Sequence, residues 1–173
     1  MGTRATYKIE KTTFYIHYDG YEEGAAQYFL NMVRAQSEID RNGMPTNRGG
    51  NAENFLRANR LAEFTESHEL HGDTEYEYDL KGDQLTVRSG YGEEKKQTFQ
   101  GPLVDFLQKY APGEVVTAPL NNYGHKALMT RDNVEQLLSS QTELLGKWVA
   151  NDVTGANLDS LKKTIDGLQE CLA

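Results

Sequence analysis

Residues 4–18 constrain the fold more than any other stretch. Two runs rich in Thr, Tyr, Phe and Ile, 4–9 and 13–18, are separated only by the polar Glu10-Lys11-Thr12. That pattern predicts a β-hairpin. Side chains alternate along a strand, so Phe14, Ile16 and Tyr18 share one face and Tyr15, His17 and Asp19 the other, the first set being the better core face. Gly20 then releases the chain into a helix predicted over 21–39, with Ala25, Phe29, Met32, Val33 and Gln36 at helical spacing. Glu22 and Glu23 fall in its first turn, where carboxylates favour the positive end of the helix dipole.

Gly43, Pro45, Gly49 and Gly50 punctuate residues 40–51, which read as a mobile loop. Asn51 is placed to cap a short helix running to 61–63, with Phe55, Leu56, Asn59 and Ala62 inward. Residues 74–80 and 84–89 flank Lys81-Gly82-Asp83 as a second hairpin, and 95–100 add a further strand. Beyond Pro102 the patterning turns helical: a helix over 103–110 stops before Pro112, and an irregular span follows over 111–130. Thr130 or Asp132 caps a long helix to about 152, its apolar stripe formed by Val134, Leu137, Leu138, Leu144, Leu145, Trp148 and Val149. A final helix over 158–172 turns Leu161, Ile165 and Leu168 inward. These elements predict an α+β fold, a small antiparallel sheet covered by helices with a C-terminal helical hairpin. At 173 residues the chain is read as a single domain, residues 1–129 forming the body and 130–173 the hairpin.

The net charge of −8 is concentrated. Residues 61–83 carry one basic residue against eight acidic ones, whereas 1–60 carry eight against seven. Such a patch repels phosphate backbones and attracts basic surfaces, so the expected partner is a protein and not nucleic acid itself. Ten tyrosines, several of them near the sheet, add large contact area with polar tips. Glu69, Asp73, Glu75, Glu77, Asp79, Tyr76 and Tyr78 are therefore the candidate partner-binding residues, with a solvated face as the plainer reading. The lone Cys171 excludes an intrachain disulfide framework and fits a reducing, cytoplasmic setting. No apolar run approaches the ~20 residues that span a bilayer, so no membrane partner is expected.

Three groups invite a chemical reading. His17 and Asp19, two apart, with Glu22 or Glu23 following, offer an imidazole oriented by a carboxylate, the makings of a general base near neutral pH. In the alternative reading of a nucleotide-like ligand binder or hydrolase, His17, Asp19 and Glu23 are the catalytic candidates, while Arg48 and Arg57 hold phosphate. The competing reading of His17–Asp19 is a structural turn and helix cap. His68-Glu69-Leu70-His71 spaces its histidines three apart, where the zinc-protease motif needs four, so no metal or cofactor is expected. The terminal helices' stripes, if they exceed what the sheet covers, predict a homodimer.

Thr3-Arg4-Ala5-Thr6-Tyr7 and the following His17-Tyr18-Asp19-Gly20-Tyr21-Glu22-Glu23 carry a resemblance. They resemble the opening of small phage and mobile-element proteins that begin with a Thr-Arg-Ala-like strand and continue into a His-x-Asp-Gly-Tyr-x-Glu turn, with a fainter echo at Glu75-Tyr76-Glu77-Tyr78. The likeness covers roughly the first thirty residues. It implies a bacterial host cell as the setting. Taken with the acidic segment, it leads to the expectation of a non-enzymatic counter-defence inhibitor, anti-CRISPR-like, acting on a host defence complex with a basic nucleic-acid-binding surface.

Overall fold

A computed structural model of the chain describes residues 2–41, 49–119 and 126–173. Its internal contacts divide it into two compact units, Met1–Ala35 with Arg48–Pro112 and Gln36–Asn47 with Gly113–Ala173. Most of the predicted loop over 40–51 lies outside the described residues.

The first unit grows from the N-terminal hairpin. Strands β1 (Ala5–Ile9) and β2 (Thr12–Ile16) pair antiparallel around a two-residue turn, Glu10 adopting a left-handed φ of 55°. Helix α1 (Glu22–Gln36) follows, with Glu22 and Glu23 in its first turn. Gly20 and Gly24 are required by close approach: a Cβ on Gly20 would overlap Ala5, and one on Gly24 would overlap the Asp19 carbonyl. Helix α2 (Asn51–Ala58) is capped at Gly50, whose backbone is extended, and not at Asn51 as the sequence predicts. The Asn51 side chain instead donates to the Gly82 carbonyl. The helix stops short of 61 because Asn59 leaves helical geometry and turns its amide back onto the Phe55 carbonyl.

Strands β3 (Glu63–Thr65), β4 (Tyr76–Lys81), β5 (Gln84–Ser89) and β6 (Lys96–Pro102) complete a sheet in the order β3-β2-β1-β4-β5-β6. Its neighbours are antiparallel except for β1 and β4, which run parallel. The sheet is thus mixed, whereas the sequence predicts an antiparallel one. Helices between the hairpins let the second return in the same direction as β1.

Register explains the core. Phe64, Phe14, Tyr7, Tyr78, Val87 and Phe99 occupy one row across all six strands. Phe29 of α1, Phe55 of α2 and Phe106 of α3 (Leu103–Tyr110) pack against that row, with ring centroids 5.8 Å apart for Phe29 and Tyr7, 5.3 Å for Phe55 and Phe14, and 5.3 Å for Phe106 and Phe99. Tyr7 and Tyr78 stack at 4.9 Å. Such pairs contribute roughly 0.5–1.5 kcal/mol each beyond the area they bury.

In the second unit the span predicted as irregular contains a hairpin, β7 (Val115–Pro119) with β8 (Lys126–Thr130). Helices α4 (Arg131–Ala150) and α5 (Ala156–Leu172) pack together and against β7. Ala118, Met129, Val134, Leu137 and Leu168 form its core, bordered by Ile39, Leu138 and Cys171. The terminal helices therefore form a hairpin that lies on a strand pair of its own. Among the described residues no helix is long and apolar enough to cross a membrane.

Candidate functional site

The turn after β2 separates the residues that the sequence groups together. β2 ends at Ile16, so strand alternation does not extend to residue 19. His17 sits edge-on to Tyr15, ring centroids 4.5 Å apart, with Nε2 3.8 Å from Glu63 Oε1. Asp19 adopts a left-handed φ of 53°, a region Asp tolerates better than most residues, and lines an open hollow of about 360 Å³ with Tyr21, Glu23, Gly24, Gln27 and Tyr28. The Tyr28 hydroxyl donates to the Tyr18 carbonyl at 3.0 Å. Asp19 and Glu23 thus share the hollow, and His17 is outside its lining. Two carboxylates disfavour a phosphate ligand there. Arg57 is engaged elsewhere, donating to the Ala35 carbonyl at 2.7 Å and to Asn54 at 2.9 Å, and Arg48 lies outside the described residues.

The acidic segment is also divided by strand alternation. Tyr76 and Tyr78 point to the helix face, where Tyr78 is fully buried and its hydroxyl donates to the Gly20 carbonyl at 2.7 Å. Burial drives its phenol pKa far upward, and it offers nothing to a partner. Tyr76 is half-buried, and burial followed by the Glu22 carboxylate raises its pKa. Glu77 and Asp79 share the opposite face, where Glu77 accepts from Lys95 Nζ at 2.6 Å in a largely buried pair that also reaches Thr74 Oγ1. Glu75 accepts from the Tyr91 hydroxyl. The seven predicted partner-binding residues therefore do not form one surface.

Between β3 and β4 the chain lies as a strap across the polar face of the sheet. His68 Nδ1 is 2.6 Å from Thr6 Oγ1, and His71 Nε2 is 2.8 Å from Thr65 Oγ1. The His71 ring stacks on Tyr15 at 4.0 Å, and Tyr15 Oη donates to Asp73, which also pairs with Arg4. His68 Nε2 is buried without a hydrogen-bond partner. Burial lowers the His68 pKa, opposed by the carboxylates of Glu77, Asp79 and Glu69, while Lys8 adds to the lowering. The two histidines fasten the strap to the sheet. Among the described residues no group of three or more His, Cys, Asp or Glu is arranged to hold a metal ion.

The exposed chain from Leu61 to Asp73, β3 and the start of the strap, is the candidate site. Glu63, Glu66, Glu69 and Asp73 are exposed along it, as are three apolar side chains, Leu61, Phe64 (68% exposed) and Leu70, with Phe64 on the helix side of β3 and Glu63 on the strap side. A hydrogen bond from Ser67 lowers the Glu69 pKa. Sequence reasoning missed the apolar half of this surface, because it extended α2 over Leu61 and recognised no strand at residues 63–65. The fold and site define the class of an α+β protein with a helix-backed mixed sheet whose other face is crossed by an acidic strap, with an exposed phenyl ring on the edge strand that leads into it. No family model, no curated protein and no solved structure matches the chain.

Proposed function

We propose that this protein works by binding, not by catalysis, and that it captures a basic protein surface. The observation that supports this is the interleaving of Leu61, Phe64 and Leu70 with Glu63, Glu66, Glu69 and Asp73 on one exposed stretch. Apolar side chains supply contact area, while the carboxylates steer a Lys/Arg-rich partner and set its orientation. The N-terminal resemblance supplies the biological setting: an anti-CRISPR-like inhibitor from a phage or mobile element, acting in the bacterial cytoplasm. There the strap occupies a surface on a host defence complex that otherwise holds nucleic acid.

The test is capture by the tagged protein from lysates of bacteria with defined defence systems. A nucleic-acid-binding protein should be retained at low salt and released as salt rises. The Glu66→Lys, Glu69→Lys double variant should lose it while melting like the parent. Retention unchanged by the double reversal, or no retained protein, would refute the reading.

A homodimer through α4 and α5 belongs to the same proposal. Val149 is 56% exposed and Leu144, Leu145 and Trp148 are half-buried, leaving part of the stripe for a second copy.

A further inference from the structure

We propose that the outer edge of β3 accepts an extended segment of the partner as an added strand, and that this segment carries a large apolar residue next to a lysine or arginine. The inference rests on the binding role above and specifies how the surface is used.

The sheet order ends at β3, and among the described residues no strand pairs with its outer side. The cross-strand row is unfinished at the same place. Phe14, Tyr7, Tyr78 and Val87 are at most 1% exposed, yet Phe64, the last member, is 68% exposed, its ring centroid 5.3 Å from that of Phe14. An added strand places a side chain at about that spacing on the open side of Phe64, so an apolar residue there would extend the row.

The other face fixes the charge. Glu63 and Thr65 point away from Phe64, and the Glu63 side chain is 66% exposed, opposite Tyr15 across the strands and 3.8 Å from His17 Nε2. A neighbour of the incoming apolar residue falls beside Glu63, where a cation is favoured and a carboxylate is repelled. A three-residue length and a glutamate are also devices that guard an edge from indiscriminate pairing. An uncovered phenyl ring works in the opposite direction, so the combination admits a strand of matching charge and rejects others. Main-chain bonds then give affinity, and the alternating side chains give selectivity.

The probes are three synthetic peptides: one alternating lysine with phenylalanine and valine, one of the same composition with its lysines in a single block, and one alternating but N-methylated along the backbone. The alternating peptide should bind and slow amide exchange across residues 63–65. Blocking the lysines or methylating the amides should each weaken binding roughly tenfold or more, and Phe64→Ser roughly 30-fold, with circular dichroism unchanged. Equal affinity for the blocked peptide, no slowing at β3, or no binding would overturn strand addition. If peptides fail but the Glu66→Lys, Glu69→Lys variant still loses a captured protein, strand addition falls and the binding role stands. If the alternating peptide slows exchange at β3 but no protein is captured, strand addition stands and the binding role falls.

Discussion

The two faces of the six-stranded sheet are held in different ways. On the helix face Tyr7, Phe14 and Tyr78 meet Phe29, Phe55 and Phe106, and stability comes from close-packed rings. On the strap face His68 and His71 each meet a threonine hydroxyl, Thr6 and Thr65, His71 also stacks on Tyr15, and Asp73 accepts from both Tyr15 and Arg4. Packing resists any loss of volume, whereas isolated polar fastenings respond to charge and pH. The exposed carboxylates of the strap, Glu66 and Glu69, are thus more readily altered without loss of the fold than the packed rings of the helix face.

The comparison would break first if the helix face tolerated truncation. Phe55→Ala should cost about 3–5 kcal/mol in chemical denaturation, because the ring is fully buried against Tyr7 of β1 and Phe14 of β2. Glu77→Lys should follow at roughly 2–4 kcal/mol, since it leaves Lys95 facing a second cation in a site only 10–16% exposed. An equally mild result for Glu77→Lys and Glu69→Lys in thermal melts would refute that ranking, which reverses what the acidity of the segment alone suggests.

Two hydroxyl deletions sharpen the contrast within the helix face. Tyr78→Phe should lose about 1 kcal/mol with the bond to Gly20, whereas Tyr7→Phe should be neutral or slightly stabilising, because Tyr7 Oη is buried without a partner. Matching losses from both would contradict this assignment. The smallest effect should be on the strap face and should depend on pH. The folded-state pKa of His68 lies below its unfolded value near 6.5, so the unfolded chain binds the proton more readily. Stability is full above that unfolded value, declines as pH falls through the folded pKa, and levels off below it. His68→Gln should flatten that part of the profile, and a parent-like decline in the variant would place the titration elsewhere.

Much of this was legible in local pattern. Period-two runs marked β1–β2 and β4–β5, and helical stripes marked α1, α4 and α5. β3 escaped because three residues hold too little alternation to stand out beside the end of α2. β7 and β8 escaped because Pro112 and Pro119 bracket Val115-Val116 and mask a β-branched run. The parallel pairing of β1 with β4 links residues far apart in the chain, which no local pattern encodes. The site was half legible. Alternation puts Tyr76 and Tyr78 opposite Glu77 and Asp79, whereas charge density along the chain does not distinguish a strand's two faces. For His17 and Asp19 alternation does not apply, because β2 ends at Ile16.

The parallel seam between β1 and β4 has a kinetic consequence. Each flanking hairpin closes a short loop and forms on its own, but joining Ala5 to Tyr76 closes a loop containing both α1 and α2, at a much larger entropic cost. The seam is therefore the expected bottleneck of folding. Substitutions that weaken Tyr7 against Tyr78 should slow refolding in stopped-flow traces, whereas those at the tip of either hairpin should chiefly speed unfolding.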